Sequence, residues 1–444
     1  MSSAAKELEV AYSRSLPQPL TSICAFLALV GVIAFVVALA TDPQVAWLAY
    51  HANFIYFLAL SLGGLAFAAI MVVVSANWPG PLRRMFEALA AWVPISFVLA
   101  CIGYFGGDYL FEWKREGAVH GKEVWLNTTR VYGTDLFILG VLALSTVWFL
   151  KVSNRPMLKG LADNLDGKAT GFAQNMAKRW TANWKGDVEE RDAAFALLSK
   201  RAAPLLFFYA FGFSFFIFDQ VMSMEQTWFS TLFGAYVTWG GILSAVAAVA
   251  LCCTFYKSAP GFEGLITEDR MHDIGKLLFA FSIFWMYLFW SQYLVIWYGN
   301  LPEETQFFMD RLGNQFVIDK GAVSAASWAK AWSSWDFDWT RLNNAYGWTA
   351  MTTWACLWII PFWVLLSQVA KKTTWVLGPV AAIVLFGFWL ERNLLIWPSV
   401  IKNDSTSYLG MYQILIALGF FGAYGFVFLV YTRVFPTIAV AKKD

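Results

Sequence analysis

Ionisable side chains occur inside the most apolar stretches of this sequence. The stretch VLFGFWLERNLLIWPSV, residues 384–400, holds Glu391 and Arg392 side by side, and Asp219 follows another long apolar run. A charged group is costly in hydrocarbon, so such residues usually mark a proton relay or a ligand site. Carboxylates can take part in general acid–base catalysis. Proton transfer next to a lipid-soluble substrate is therefore the first chemistry that the sequence suggests.

The residues that could take part fall into three sets. The predicted outer proton-transfer set consists of Asp135, Asp219, Glu225, Glu391 and Arg392. The candidate inner groups, which would serve a route across the membrane, are Glu87, His272 and Asp273. The candidate quinone-binding residues are His51, Gln292 and Tyr293. Further polar atoms come from Ser61, Ser145, Thr146, Ser214 and Ser282, although helical hydroxyls usually bond backbone carbonyls.

The same residues also have structural interpretations. Glu391 and Arg392 could pair with other buried charges and tie helices together. Because adjacent helical residues point about 100° apart, pairing outward is expected rather than pairing with each other. Asp219 and Glu225 could instead be solvated at the interface, and His51 could be a hydrogen-bonded helix-end residue.

The elements that must position these residues are membrane-spanning helices. Of the 444 residues, 59% are hydrophobic and 14% are charged, with 24 Trp and 40 Phe, as in a polytopic helical membrane protein. A bilayer core about 30 Å thick needs roughly 20 apolar residues per helix. The sequence predicts an all-α integral membrane fold with about ten spans, near 20–40, 46–75, 85–106, 133–151, 203–222, 231–255, 277–298, 347–369, 374–397 and 409–433.

The distribution of Lys and Arg predicts the orientation. The net charge is only +2, but most of the 32 basic residues fall on the N-terminal side of the predicted membrane. Both termini are therefore expected in the cytoplasm. The predicted segments are 1–19 (cytoplasmic), 20–151 (helices 1–4), 152–202 (cytoplasmic loop), 203–298 (helices 5–7), 299–345 (periplasmic loop), 346–434 (helices 8–10) and 435–444 (cytoplasmic tail).

Two similar stretches indicate an internal repeat. SLGGLAFAAI begins at Ser61 and TWGGILSAVA begins at Thr238, and each precedes an inner connection with a Pro-Gly pair. Helices 2–5 and 6–9 then form two four-helix bundles in parallel repeat, with flanking helices outside them. The paired glycines would let neighbouring helices approach closely. The repeat also places Asp219 and Glu391 at the same depth.

Two long connections have alternative interpretations. The inner segment 152–202 contains basic residues with Trp180 and Trp184, which indicates a helix on the membrane surface or a solvated linker. The outer segment 299–345 contains a cluster of tryptophans, either interfacial anchors or a docking surface. Those tryptophans are Trp328, Trp332, Trp335 and Trp339.

The sequence argues against a redox centre held by this chain. Its five cysteines lack C-x-x-C spacing, and its three histidines do not offer two axial haem ligands on facing helices. No phosphate-binding loop, zinc motif or serine-nucleophile signature appears, and no nucleic-acid partner is expected. The remaining functions are to move a proton or solute, or to hold a lipid-soluble substrate such as quinol for redox centres in another subunit.

Three runs resemble the NrfD-like family of membrane subunits. They are FDQVMSMEQTWFSTLFGAYVTWGG (218–241), FWSQYLVIWYGNLPEET (289–305) and WLERNLLIWPS (389–399). Within that family, the sequence is most similar to the second NrfD-like subunit of alternative complex III, a bacterial quinol:electron acceptor oxidoreductase. The family includes the membrane subunit of polysulfide reductase, which has two four-helix bundles plus flanking helices.

The resemblance implies a multi-pass subunit in the bacterial inner membrane that supports quinol oxidation and proton transfer or translocation. The implied partners are a paralogous NrfD-like subunit, an iron–sulfur subunit, c-type cytochrome subunits and a terminal oxidase. Haem c and iron–sulfur clusters would belong to those partners, and menaquinol or another quinol would be the substrate. In the family, the quinol pocket with a His–Asp pair belongs to the paralogous subunit, and His51 does not match that motif.

Two other functions stay open from the sequence. A secondary transporter would place its polar site near the midplane and show inverted symmetry, whereas the repeat here is parallel. A purely structural membrane anchor for peripheral redox subunits would need no buried site at all. Neutral replacements of Glu391 or Asp219 separate the anchor from a subunit that handles protons.

Overall fold

The computed structural model describes most of the chain. The described residues are 9–11, 18–115, 121–164, 171–259, 264–312, 346–401, 409–436, 438 and 440–442. Almost all of them are helical, which confirms an all-α membrane protein. A short antiparallel pairing of Glu9–Ala11 (β1) with Val440–Lys442 (β2) brings the two ends of the chain together.

Most of the described helical residues lie in the helices of two bundles and a flanking pair. The long ones among these helices are α1 (Gln18–Thr41), α2 (Pro43–Val73), α3 (Pro81–Ala90), α4 (Val93–Gly103), α6 (Thr128–Asn154), α9 (Asp187–Gln220), α10 (Phe233–Lys257), α11 (Glu268–Gly299), α16 (Thr374–Val400) and α17 (Met411–Val434). Short helices connect them: α5 (Gly107–Leu110), α7 (Lys159–Ala162), α8 (Gly171–Trp180), α12 (Pro302–Leu312), α13 (Gly347–Trp354), α14 (Ile360–Val364) and α15 (Gln368–Lys372).

Nine helices in the described ranges are long and apolar enough to cross a membrane. The eighth of the ten predicted spans, near 347–369, is not among them. Its backbone is divided into α13, a π-helical segment at Ala355–Ile359, and α14. A π-helical turn inside a helix is rare and often lies at a functional site.

The first group of helices packs around α2. This first bundle consists of α2, the consecutive α3 and α4, α6 and α9. α2 begins with Pro43 after Asp42, whose side chain accepts a hydrogen bond from the Val45 amide. A carboxylate at this position satisfies a backbone donor that the first helical turn leaves free. α2 is buried over nearly its whole length, so it is the core of the bundle rather than a lipid-facing helix.

The second group is built from later helices. This second bundle consists of α10, α11, the interrupted α13–α14 helix and α16, with α10 packed against both α11 and α16. The C-termini of α9, α11 and α16 lie at one end of the molecule, together with the N-termini of α2, α10 and α13. We call this the outer end, following the predicted orientation, and the opposite end the inner end.

The two bundles meet where glycines remove side-chain bulk. A Cβ atom on Gly63 of α2 would lie 2.0 Å from the backbone oxygen of Gly241 on α10. A Cβ atom on Gly241 would lie 2.5 Å from the Ala59 oxygen. These contacts confirm the expectation that the glycine pairs permit close helix approach.

The flanking helices α1 and α17 form a pair beside the first bundle. Gly31 and Gly419 pack backbone against backbone, and a Cβ atom on Gly31 would lie 2.2 Å from the Gly419 Cα. α1 is otherwise largely exposed, with Phe26 and Val36 among its exposed apolar side chains. In a membrane these side chains face lipid.

The inner connection is partly helical. α8 packs against α7, and Trp180 stacks on Phe435 after α17 with ring centroids 4.2 Å apart. The helix α9 begins at Asp187 rather than near residue 203. Arg155 and Glu190 form an ion pair (2.6 Å) that fixes this part of the segment to the end of α6.

Candidate functional site

A cavity of about 410 Å³ lies in the outer half of the second bundle. Its walls come from α10, α11, α13 and α16, and α12 closes it at the outer end. Most of the lining is apolar and aromatic, with a small number of polar groups. This combination of size and lining is typical of pockets for small lipid-soluble molecules.

Several buried polar atoms along this wall make no hydrogen bond with any described residue. These atoms are Nε1 of Trp228, Oγ1 of Thr353 and Nε of Arg311. All three side chains are more than nine-tenths buried. An unsatisfied buried donor or acceptor costs free energy comparable to a lost hydrogen bond. The cavity therefore offers two N–H donors and a hydroxyl to a bound molecule, beside the Glu391 carboxylate, which has the Tyr236 hydroxyl and Arg392 as partners.

α12 contributes the cation of the site. Arg311 donates to the Leu395 carbonyl (2.9 Å) and to the Ser399 hydroxyl (2.5 Å), so it ties α12 to α16. Its guanidinium lies 3.6 Å from the centre of the Phe307 ring, and Phe307 stacks on Trp228 on its other side.

The electrostatic setting of this cation follows from its burial. Burial lowers the pKa of Arg311 to about 10, against the opposing effect of the Glu225 carboxylate, whose oxygen lies 4.0 Å away. At neutral pH, Arg311 therefore keeps its positive charge inside the protein.

Glu391 and Arg392 pair with each other. Arg392 Nη1 donates to Glu391 Oε2 in a short contact, and both side chains are buried. The expectation that they would pair outward is wrong, because the long arginine side chain is able to reach the carboxylate of the adjacent residue although the two side chains leave the helix in different directions. Glu391 lines the cavity and has the Tyr236 hydroxyl nearby.

The other candidates on this side join the same cavity. Gln292 and Tyr293 both line it, and Gln292 Oε1 accepts from the Ser230 hydroxyl at 3.1 Å. Glu225 does not line the cavity itself, but its Oε1 lies 4.0 Å from Nη1 of Arg311, which does. Four of the sequence-based candidates, Glu225, Gln292, Tyr293 and Glu391, are thus brought together.

Asp219 belongs to a separate group in the first bundle. Its carboxylate accepts two hydrogen bonds from Arg130, at 2.6 and 2.9 Å. The Arg130 guanidinium also lies 4.0 Å from the Trp125 ring centre. A bidentate pair of this kind is among the strongest polar contacts in proteins. It holds the outer end of α9 against the start of α6.

His51 and Asp135 extend this first-bundle group. Gln220 donates from Nε2 to Asp135 Oδ2 (2.7 Å), and its backbone oxygen accepts from His51 Nε2 (2.8 Å). A void of about 20 Å³ lies between these residues. This space suits one water molecule and is far smaller than the second-bundle cavity. His51 therefore lies apart from Gln292 and Tyr293.

The inner candidates are held by local contacts. Glu87 accepts from Arg84 (2.7 Å), Arg83 (3.1 Å) and the Ser153 hydroxyl (2.6 Å), and it is buried. Asp273 pairs with Lys276 at 2.7 Å. His272 precedes it on α11. The hydrogen bonds and ion pairs of the described residues do not connect these groups to Glu87.

The helical hydroxyls make local hydrogen bonds. Ser61, Thr146, Ser214 and Ser282 each donate to the carbonyl four residues earlier, at 2.6 to 2.8 Å. Ser145 is partly buried on α6. This pattern agrees with the structural interpretation and gives no chain of side-chain hydroxyls across the bundle.

The sequence reasoning missed several residues of both groups. Arg130, Arg311 and Gln220 were not candidates, although each supplies a main polar contact. Trp228 lay within the quoted run 218–241, and its aromatic type could have marked it as a ring-stacking residue. Thr353 carried no signal, because threonine is common in apolar helices.

Some predicted features lie outside the described residues. They are His120 and the tryptophans Trp328, Trp332, Trp335 and Trp339 of the outer connection. Within the described ranges, no group of three or more His, Cys, Asp or Glu side chains is arranged to hold a metal ion. The five cysteines are free thiols.

The site thus combines an apolar cavity with a buried acid, a buried cation and unsatisfied donors. Such an arrangement can hold a neutral ring with oxygen substituents and can exchange a proton with it through Glu391. Comparison with known proteins adds no identity to this geometry: no family model matches the chain, and no curated protein matches it.

Proposed function

We propose that this chain is an integral membrane subunit of a respiratory quinol:electron acceptor oxidoreductase of the alternative complex III type. In this proposal the second-bundle cavity binds the quinol ring, at a site additional to the pocket of the paralogous subunit. The observation that carries the proposal is the set of buried polar side chains along one apolar cavity: the unsatisfied atoms of Trp228, Thr353 and Arg311, and the carboxylate of Glu391. A purely structural anchor has no need of such a site.

The chemistry of a quinol fits the donor and acceptor pattern. A quinol has two ring oxygens, each of which accepts hydrogen bonds, and two hydroxyl hydrogens. The indole N–H of Trp228 would donate to a ring oxygen, and Glu391 would accept a hydroxyl hydrogen. Aromatic side chains such as Phe289 and Tyr293 would contact the ring faces.

Oxidation of a quinol releases two electrons and two protons. The electrons would pass to haem c or iron–sulfur clusters held by partner subunits, because this chain is proposed to hold no redox cofactor. Each of the two protons would pass in turn to Glu391, which would release the first towards the outer side before it accepts the second, and Arg392 stabilises its negative charge. Asp135 and Asp219 of the first bundle would handle protons separately from the ring site, and Glu87, His272 and Asp273 would serve an inner route.

The finer architecture belongs to the same proposal. We infer ten spans in two parallel four-helix units, with both termini in the cytoplasm and the cavity towards the periplasm. The proposed location is a bacterial inner membrane, with a paralogous NrfD-like subunit, an iron–sulfur subunit, c-type cytochromes and a terminal oxidase as partners. The pairing of β1 with β2 supports termini on one side.

The cavity can be tested by replacing Glu391 with Gln in the native complex. E391Q keeps the size of the side chain but removes the proton acceptor. We expect several-fold weaker binding of a quinol-site inhibitor and a matching loss of quinol oxidation. Binding is measured by inhibitor titration and turnover by reduction of the electron acceptor.

A matched control makes the same chemical change elsewhere. Glu268 is an exposed acid at the start of α11, at the inner end, and E268Q should leave both quantities unchanged. Wild-type inhibitor binding and turnover in an E391Q complex that assembles normally would refute the proposal and favour a structural anchor.

A further inference from the structure

The helices around the cavity are not equally close along their length. α11 packs against the π-helical segment Ala355–Ile359, α14 and α15, but it makes only marginal contact with α13. α11 and α13 therefore diverge towards the outer end, on either side of the cavity. Trp354 Nε1 lies 3.3 Å from Met286 Sδ and joins the two helices at the point where they separate.

Apolar side chains surround the gap between α11 and α13. Trp290 lines the cavity and is 49% exposed, and Met351 lines it from the facing helix. Leu294 and Trp348, further along the same helices, are also exposed. Trp290 and Leu294 belong to α11, which is long and apolar enough to cross a membrane, so their exposed faces would meet acyl chains rather than water. α12 covers the cavity from the outer end and packs against α11, α13 and α16.

We propose that the cavity opens sideways into the bilayer between α11 and α13. Its ligand is an amphiphile with a compact oxygen-bearing ring and a long apolar chain. The ring lies beside Thr353 and Glu391, and the chain leaves the protein past Trp290 and Met351. The contact between Met286 and Trp354 forms the inner edge of this opening. This inference rests on the proposed function, because it names the class of ligand and its path to the same cavity.

The proposal can be tested by photolabelling the native complex in its membrane. One probe is a benzoquinone with an alkyl tail that carries a diazirine at its far end. The other carries the diazirine on the ring. We expect adducts of the tail probe on Trp290, Leu294 and Met351, and adducts of the ring probe on Trp285 and Thr353. Mass spectrometry of the digested chain locates both.

The outcomes separate the two proposals. Ring adducts in the cavity with tail adducts on α12 would overturn the lateral opening and keep the quinol site. If neither probe gives cavity adducts that an excess of unlabelled quinone removes, the quinol site and the opening are both overturned. Adducts at the expected positions that an excess of unlabelled quinone removes would support both.

A pair of tryptophan substitutions tests the opening independently. Met351→Trp fills the gap between α11 and α13. We therefore expect several-fold less labelling of the cavity by the ring probe, which also has the alkyl tail. Labelling by a ring probe without a tail should change little. Tyr287→Trp introduces the same side chain on the exposed face of α11 outside the cavity, and should change the labelling by neither probe. If M351W does not assemble, M351A widens the gap and should maintain or increase labelling by the tailed probe. Reduced labelling in M351A would overturn the opening.

Discussion

At the scale of single residues, the buried acids depend on partners from distant parts of the chain. Asp219 is fully buried, and its carboxylate is compensated by Arg130. Arg130 lies in the first turn of α6, 89 residues before Asp219 in the sequence. A buried charge without its partner is strongly destabilising. The pair therefore joins α6 to α9 in addition to any part in proton transfer.

Arg130→Met should destabilise the protein because it leaves the Asp219 carboxylate buried and uncompensated. We expect a loss of roughly 3 kcal/mol, near the low end for a broken buried pair because Arg130 is partly exposed. Adding Asp219→Asn should recover part of that loss. Thermal melting of the purified complex measures each variant.

The control for this prediction is Arg115→Met. Arg115 is an exposed arginine at the outer end, so its loss should leave the melting temperature unchanged. If the effects of R130M and D219N simply add in the double variant, the two side chains do not act as a pair, and the interpretation is wrong.

Sequence reasoning finds one half of such pairs more easily than the other. Glu391 and Asp219 are conspicuous because an acid is rare within a long apolar run. Arg130 and Arg311 lie in segments where basic residues are ordinary, so their role follows only from the tertiary packing. Glu391 was expected to pair with a distant group for a different reason: the 100° angle between adjacent helical residues was considered, but the reach of the Arg392 side chain was not.

At the scale of helices, glycine decides how closely the two bundles approach. Gly63 and Gly241 lie where α2 crosses α10, and there is no space for a side chain on either residue. Because α2 is the central helix of the first bundle, a shift at this crossing moves every helix packed on it. The crossing therefore sets the distance between the Asp219 group and the cavity.

Gly63→Ala should separate α2 from α10. The new Cβ would lie 2.0 Å from a backbone oxygen, and backbone cannot turn aside as a flexible side chain can. Overpacking of this type costs about 1–3 kcal/mol, so the melting temperature should fall. Gly133→Ala on α6 is the control, because a Cβ there meets no atom within 4 Å. A normal melting temperature for G63A would show that the crossing is not tight.

The apolar runs predicted the helices well and their ends less well. α9 begins at Asp187, since its first turns form an amphipathic helix that extends beyond the bilayer and carries charged residues. The span near 347–369 was predicted as one continuous helix, whereas the structure divides it at Ala355–Ile359. Composition measures how apolar a segment is, but it does not report a local change of helical pitch.

At the scale of the whole molecule, the two ends carry different polar groups. The cavity and the Arg130–Asp219 pair lie in the outer half, whereas Arg83, Arg84 and Glu87 lie at the inner end. Basic residues favour the cytoplasmic side of membrane proteins. The glycine pairs where the two bundles meet were visible in the sequence, but the cavity was not, because its shape depends on how far α11 and α13 diverge.

The predicted orientation can be measured with single cysteines. Glu123 is exposed before α6 at the outer end, and Lys185 is exposed before α9 at the inner end. In intact cells, a membrane-impermeant thiol reagent should label Glu123→Cys and leave Lys185→Cys unlabelled until the cells are opened. The parent protein, whose five cysteines lie within helices, gives the background. Labelling of K185C alone in intact cells would place the cavity on the cytoplasmic side, which contradicts electron transfer to a periplasmic acceptor.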